Sequence, residues 1–101
     1  MRRVTQVTHV VLVSWKPGQA EEAESSLRPA IRGFAGTIAG VAQVVEGHSS
    51  SPEGLEGGFD YGFVITFDDA AARDAYLPDP RHRVVADGIG GAAERVLVFD
   101  V

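Results

Sequence analysis

A histidine and a tyrosine six residues apart, His82 and Tyr76, are the side chains of this chain best suited to proton transfer. Asp79 can cap a new helix between them, and Pro80 fits its first position, where a missing backbone N–H costs nothing. His82 would then share one helical face with the apolar residues three, four and seven positions later. The pattern predicts an imidazole that points towards the interior.

Two interpretations of this pair remain open. In the first, a neutral His82 is a general base that takes an acidic proton α to a carbonyl, and Tyr76 donates to the developing enolate oxygen. In the second, His82 is a buried histidine bonded to a backbone carbonyl and Tyr76 is a core aromatic with a solvated hydroxyl. A cavity that binds a ligand without catalysis would need neither group to react.

Two further polar side chains are predicted to converge on the same place. His9 alternates with Val7 and Val11 along an opening strand, and Tyr61 stands in an aromatic row with Phe63. Alternate residues of a strand face the same side of a sheet. If both side chains face the helices, they meet His82, although a strand histidine is more often a core residue.

No cofactor or metal site is expected. The glycines at 54, 57 and 58 fall in a loop, and those at 88, 90 and 91 follow a helix, so neither set is a phosphate-binding motif. His48 has no ligand spacing to the other histidines, and the pair Asp68 and Asp69 is better explained as a helix cap than as a metal site.

Composition limits the function classes further. The 101 residues form one predicted domain, 1–101, with a formal net charge of −5, which argues against nucleic acid as a partner. Cysteine is absent, so thiol chemistry is excluded. No apolar run reaches membrane-spanning length, and we expect a soluble cytoplasmic protein with no membrane partner.

The elements that must position these residues follow from periodicity and turn residues. Asp68 or Asp69 is expected to cap the second helix, and Pro29 to kink the first or end it early. The predicted elements are a strand at Val4–Trp15, a helix at Gln19–Phe34, a strand at Val41–Gly47, a loop at His48–Gly57, a strand at Phe59–Phe67, a helix at Ala70–Leu77, a helix from Pro80 to the glycines at 88–91 and a strand at Arg95–Val101.

This order predicts an α+β fold of the ferredoxin-like type, β-α-β-β-α-β, with a four-stranded antiparallel sheet and helices on one side. Several strands are apolar on both faces, whereas the helices can cover only one. The same sheet from a second copy would cover the other face and form a homodimeric α/β barrel.

Four segments, Thr8–Gly18, Ser51–Gly54, Val64–Phe67 and Ala75–His82, resemble in order and spacing the stress-responsive A/B barrel family. The resemblance covers nearly the whole chain and implies a dimeric α+β barrel. It also implies a distant similarity to the family's plant polyketide cyclase that forms olivetolic acid, in which a tyrosine and a histidine close a linear β-polyketone. These two residues align with Tyr76 and His82, and the family's opening-strand histidine aligns with His9.

The resemblance implies three alternative hypotheses about the function. The first is a homodimeric barrel protein whose cavity takes a small hydrophobic or polyketide-like ligand. The second is a cofactor-independent cyclase or lyase, and the third a cofactor-free, monooxygenase-like barrel. The predicted catalytic residues are His82 and Tyr76, and the predicted substrate-binding residues are His9, Val11, Tyr61, Phe63, Leu27, Ile31 and Val85.

Overall fold

The computed structural model describes residues 5–101. Its strands are β1 (Val7–Trp15), β2 (Val41–His48), β3 (Tyr61–Phe67) and β4 (Ala93–Asp100), and its helices are α1 (Ala20–Arg32), α2 (Phe34–Thr37), α3 (Ala70–Tyr76) and α4 (Pro80–Ala92). The strands form one antiparallel sheet in the order β2-β3-β1-β4. The predicted ferredoxin-like α+β fold is confirmed.

Alternation along the strands separates a covered face from an open one. On the covered face, His9, Val11 and Val13 of β1 are buried, and their β3 partners Ile65, Phe63 and Tyr61 are buried with them. The intervening strand residues face the other side of the sheet. Within residues 5–101, no helix packs on that side. The core therefore lies between the helices and one face of the sheet.

Helix α1 runs past Pro29 and ends at Arg32, two residues before the predicted Phe34. Of the two outcomes expected at Pro29, a kink or an early end, an end at the proline itself is wrong. Ala23, Leu27 and Ile31 recur every four residues and are all buried against the sheet, whereas Pro29 is exposed. The buried stripe holds the helix together across the missing proline N–H, because packing of an apolar face supplies most of a helix's stability in a protein.

Helices α3 and α4 begin where the sequence predicts. The carboxylate of Asp69 accepts a hydrogen bond from the Ala72 N–H at 2.8 Å, and that of Asp79 accepts one from the Arg81 N–H at 2.9 Å. Helix α4 continues through its glycines to Ala92. At Gly88, a Cβ would lie 2.8 Å from a methyl carbon of Leu27, so this glycine lets α4 approach α1 closely.

Five strand boundaries differ from the prediction, two of them by a single residue, because β2 ends at His48 rather than Gly47 and β4 at Asp100 rather than Val101. Strand β1 begins at Val7, with Thr5 and Gln6 outside it, and the predicted first residue, Val4, lies outside the described residues. Strand β3 begins at Tyr61 rather than Phe59, and β4 at Ala93 rather than Arg95. Phe59 instead belongs to the loop of residues 49–60. There its ring lies under the Arg95 guanidinium, with 4.5 Å between the ring centre and the guanidinium carbon, a contact that stabilises this position.

The Asp69 cap gives the first testable expectation. Asp69→Ala should lower the free energy of unfolding by about 1 kcal/mol, because the first turn of α3 loses an acceptor for its free N–H groups. Urea denaturation followed by circular dichroism measures the change. Asp68→Ala, at the neighbouring exposed aspartate, is the matched control and should change stability by less than half as much; an equal loss in both variants would contradict the assignment of the cap.

Candidate functional site

A cavity of about 280 Å³ opens between α3, α4 and the covered face of the sheet. Apolar side chains from β1, β3, α4 and β4 form most of its wall. Three polar side chains also reach it, and among residues 5–101 no Asp, Glu, Lys or Arg lines it. The lining residues are His9, Val11, Phe63, Tyr76, Leu77, His82, Val85, Ala86, Ile89, Gly90, Val96 and Val98.

His82 and Tyr76 meet in this cavity. Their ring centres lie 4.3 Å apart, and the His82 Nδ1 lies 2.8 Å from the carbonyl oxygen of Leu77. A carbonyl can only accept, so Nδ1 carries the proton and the Nε2 of a neutral His82 is left as an acceptor. The contact arises because Pro78 ends α3 just before Asp79 caps α4, and this tight turn brings the Leu77 carbonyl beneath the imidazole.

His9 reaches the cavity from the sheet. Its Nδ1 lies 2.6 Å from Oδ1 of Asp100, its cross-strand partner on β4, and its ring centre lies 5.8 Å from that of Tyr76. Every fully buried side-chain nitrogen or oxygen within residues 5–101 has a hydrogen-bond partner. Since only Nδ1 of His9 is bonded, its Nε2 contacts the cavity.

Tyr76 stands between the two imidazoles. Its side chain is 1% exposed and also packs against Phe34 and Phe67, with ring centres 5.6 and 5.0 Å away. Burial raises the pKa of the Tyr76 hydroxyl. The phenol therefore stays protonated and is a hydrogen-bond donor within reach of a cavity ligand.

The comparisons with known proteins agree with the fold described above. A family model, the Stress responsive A/B Barrel Domain, matches residues 7–101. The chain belongs to this family. Among the curated proteins, none matches it.

Solved structures share the fold of this A/B barrel protein. A dimeric ferredoxin-like protein of unknown function from Jannaschia sp. CCS1 is 24% identical, with 95% of this chain and 97% of that one covered at a TM-score of 0.87. An Arabidopsis thaliana protein is 29% identical, with 94% and 92% covered at 0.82. A hydroxynitrile lyase from Passiflora edulis is 17% identical, with 98% and 94% covered at 0.87, a likeness that shows the fold alone.

The structure brings together six of the nine predicted site residues of this A/B barrel protein. The cavity wall contains His82, Tyr76, His9, Val11, Phe63 and Val85. Leu27 and Ile31 are buried in the core between α1 and the sheet and do not line the cavity. Tyr61 points away from His82, because its hydroxyl donates to Oε2 of Glu46 at 2.9 Å, so the predicted meeting of Tyr61 with His82 is wrong.

Tyr61 belongs instead to a charged network between α1 and the sheet that the sequence analysis missed. The Glu46 carboxylate accepts from Arg28 Nε at 2.7 Å and from Arg32 at 2.8 Å, besides the Tyr61 hydroxyl. Glu24 continues the network to Arg28, to His48 and to the Trp15 indole N–H. The four-residue spacing of Glu24, Arg28 and Arg32 was the available signal.

Two polar residues behind the cavity also went unpredicted. Asp100 holds His9, and Arg73 on α3 donates to the other oxygen of Asp100. Only strand pairing reveals this contact, because His9 and Asp100 lie 91 positions apart in the chain. Within the described part of the chain, no three His, Asp or Glu side chains are grouped as metal ligands would be.

No helix among residues 5–101 combines the length and the apolar character needed to cross a bilayer.

Proposed function

We propose that this A/B barrel protein binds a small, largely apolar molecule in the cavity beside His82. The observation that carries the proposal is the makeup of the wall, in which apolar side chains surround two imidazoles and one phenol. Small-molecule sites have this character, with a few polar groups that fix orientation inside an apolar pocket. A wall with no carboxylate, ammonium or guanidinium favours an uncharged ligand.

The polar groups narrow the ligand class. The Nε2 atoms of neutral His9 and His82 accept hydrogen bonds, and the Tyr76 hydroxyl donates one. A phenol or an enolised β-diketone offers hydroxyl donors and a carbonyl or phenolic acceptor on a compact apolar frame. We therefore propose a polyketide-like ligand of this kind, with Val11, Phe63 and Val85 as apolar contacts.

Binding can be tested with hexylresorcinol as the probe. Gly90 lines the cavity, and a Cβ at this position would meet no atom within 4 Å. Gly90→Leu should therefore place a bulky side chain at the cavity wall and weaken hexylresorcinol binding at least about tenfold, measured by isothermal titration calorimetry.

Gly91→Leu is the matched control for this substitution. It lies in the same helix, has equally open surroundings and does not line the cavity. Both variants should gain roughly 1 kcal/mol of helix stability, and only Gly90→Leu should lose affinity. Equal affinity in the two variants, or no binding by the wild type, would contradict the proposed ligand site.

A second candidate function is cofactor-independent proton transfer, as in a cyclase or lyase. The observation that favours it is the contact between the His82 and Tyr76 rings, which sets an imidazole with a free Nε2 beside a phenol held protonated. In this reading, an imidazole takes a proton α to a ligand carbonyl and Tyr76 donates to the enolate oxygen. Unchanged turnover of a confirmed substrate by His82→Ala would exclude His82 as a catalytic residue.

We also propose that two copies assemble through the open face of the sheet. Exposed apolar side chains lie there on both edges of the sheet: Val45 on β2, and Leu97, Phe99 and Val101 along β4 and directly after it. Exposed apolar side chains on one face of a sheet are typical of a protein–protein interface rather than of a surface that faces water. The dimeric state of the Jannaschia structure supports a homodimer.

A further inference from the structure

The two imidazoles of the cavity are held by chemically different partners. The Nδ1 of His82 donates to a neutral backbone carbonyl, that of Leu77, at 2.8 Å. The Nδ1 of His9 lies 2.6 Å from a carboxylate oxygen of Asp100. The His9 side chain is 5% exposed and that of Asp100 is 25% exposed, so this contact is partly shielded from water.

Asp100 is itself held in its ionised form. Burial opposes ionisation, but the hydrogen bonds from His9 and from the Arg73 guanidinium outweigh it and lower the pKa of the Asp100 carboxyl below its usual range. An ionised carboxylate accepts and cannot donate. The proton between the two residues therefore belongs to His9 Nδ1, and the Nε2 of a neutral His9 is an acceptor that faces the cavity.

The carboxylate also favours His9 after a proton has arrived. An imidazole that accepts a proton at Nε2 becomes a cation, and a hydrogen-bonded carboxylate stabilises this cation more than a neutral carbonyl does. Arg73 binds the other carboxylate oxygen of Asp100 and does not line the cavity. Of the two cavity imidazoles, His9 is therefore the one whose neighbours favour the acceptance of a proton.

We propose that His9 is the proton-accepting residue of the cavity and that Asp100 and Arg73 are its positioning residues. The inference rests on the proton-transfer function proposed above and assigns its base. The C–H bond α to a ligand carbonyl breaks, and its proton bonds to His9 Nε2. The electron pair stays on the ligand as an enolate, whose oxygen accepts a hydrogen bond from Tyr76. Return of the proton from His9 to carbon or oxygen of the ligand restores the neutral imidazole.

The positioning role can be tested without any ligand by long-range proton–nitrogen NMR of the histidine side chains. Wild-type protein should show neutral His9 as the Nδ1–H tautomer. Asp100→Ala should shift His9 towards the Nε2–H tautomer, Asp100→Asn should restore part of the Nδ1–H form through its amide oxygen, and Arg73→Gln should give an intermediate shift. Asp87→Asn, at an exposed aspartate on α4, is the control. A tautomer that is unchanged in Asp100→Ala would overturn the positioning role.

The base can be tested by following exchange of the acetophenone methyl protons for deuterium in D₂O. His9→Asn keeps an N–H donor for Asp100 but removes the basic ring nitrogen that would take the proton. It should slow protein-catalysed exchange by roughly 100-fold or more, with a larger loss than His82→Gln.

Two outcomes would count against this assignment. A larger loss in His82→Gln than in His9→Asn would overturn it, and so would the absence of any acceleration by the wild type. Hexylresorcinol affinity measured on the same samples shows which proposal fails. If the wild type binds hexylresorcinol but does not accelerate exchange, only the proton-transfer proposal is contradicted. If it neither binds hexylresorcinol nor accelerates exchange, the proposed ligand site is contradicted as well.

Discussion

Phe99→Asp is expected to convert a homodimer into a monomer. Phe99 is 61% exposed on β4 and pairs with Val10 of β1 on the face of the sheet that no helix of residues 5–101 covers. In a dimer formed through that face, its ring would lie between the two sheets, and an aspartate there would place two unpaired charges in the interface. An uncompensated buried charge costs several kcal/mol, so the dissociation constant should rise by at least about 1000-fold.

Sedimentation velocity over a range of protein concentrations measures this change. Val84→Asp is the matched control, because Val84 is 70% exposed on α4, away from the open sheet face. It should leave the sedimentation coefficient at the dimer value. A dimeric Phe99→Asp protein, or dissociation by Val84→Asp in its place, would assign the interface to a different surface.

Glu46→Ala should destabilise the fold more than any other single carboxylate change on the covered face of the sheet. The Glu46 side chain is 6% exposed and accepts hydrogen bonds from Arg28, Arg32 and Tyr61. Alanine would leave the Tyr61 hydroxyl without its acceptor and the partly buried Arg28 guanidinium with only the Glu24 contact at 3.4 Å. We expect the free energy of unfolding to fall by roughly 2–3 kcal/mol near neutral pH, measured by urea denaturation.

The same carboxylate predicts a dependence of stability on pH. Burial opposes ionisation of Glu46, but hydrogen bonds from Arg28, Arg32 and Tyr61 outweigh it and hold its pKa below the ordinary 4.5. A lowered pKa in the folded state means that the unfolded chain binds the proton more tightly. The contribution of Glu46 is therefore complete above 4.5 and is lost as the pH falls through the lower folded value.

Glu46→Gln tests the electrostatic part of this prediction, because its amide oxygen can still accept from Tyr61. It should lie between wild type and Glu46→Ala at neutral pH, and its stability should fall less steeply than that of the wild type below 4.5. Glu53→Gln in the exposed loop is the control and should retain the wild-type acid slope. A wild-type slope in Glu46→Gln would mean that other carboxylates cause the acid sensitivity.

Much of the architecture could be predicted from local pattern. Alternation along β3 predicted its buried aromatic face, and Asp79 with Pro80 predicted the start of α4, because strand periodicity, a capping carboxylate and a proline at the first helical position act over a few residues. The end of α1 at Pro29 was wrongly expected for the opposite reason. The effect of this proline depends on whether the buried stripe of α1 is covered, which is a property of the whole fold.

In the candidate site, too, some contacts follow from local sequence and others only from the tertiary structure. The sequence by itself determined that His82 and Tyr76 share one place, since the short turn from α3 into α4 joins them. Only the tertiary structure decided that Asp100 stands behind His9 and that Tyr61 turns towards Glu46. The physical reason is the register of the sheet, because pairing of β1 with β4 and of β2 with β3 sets contacts between residues far apart in the chain. A shift of one residue would turn each side chain to the other face.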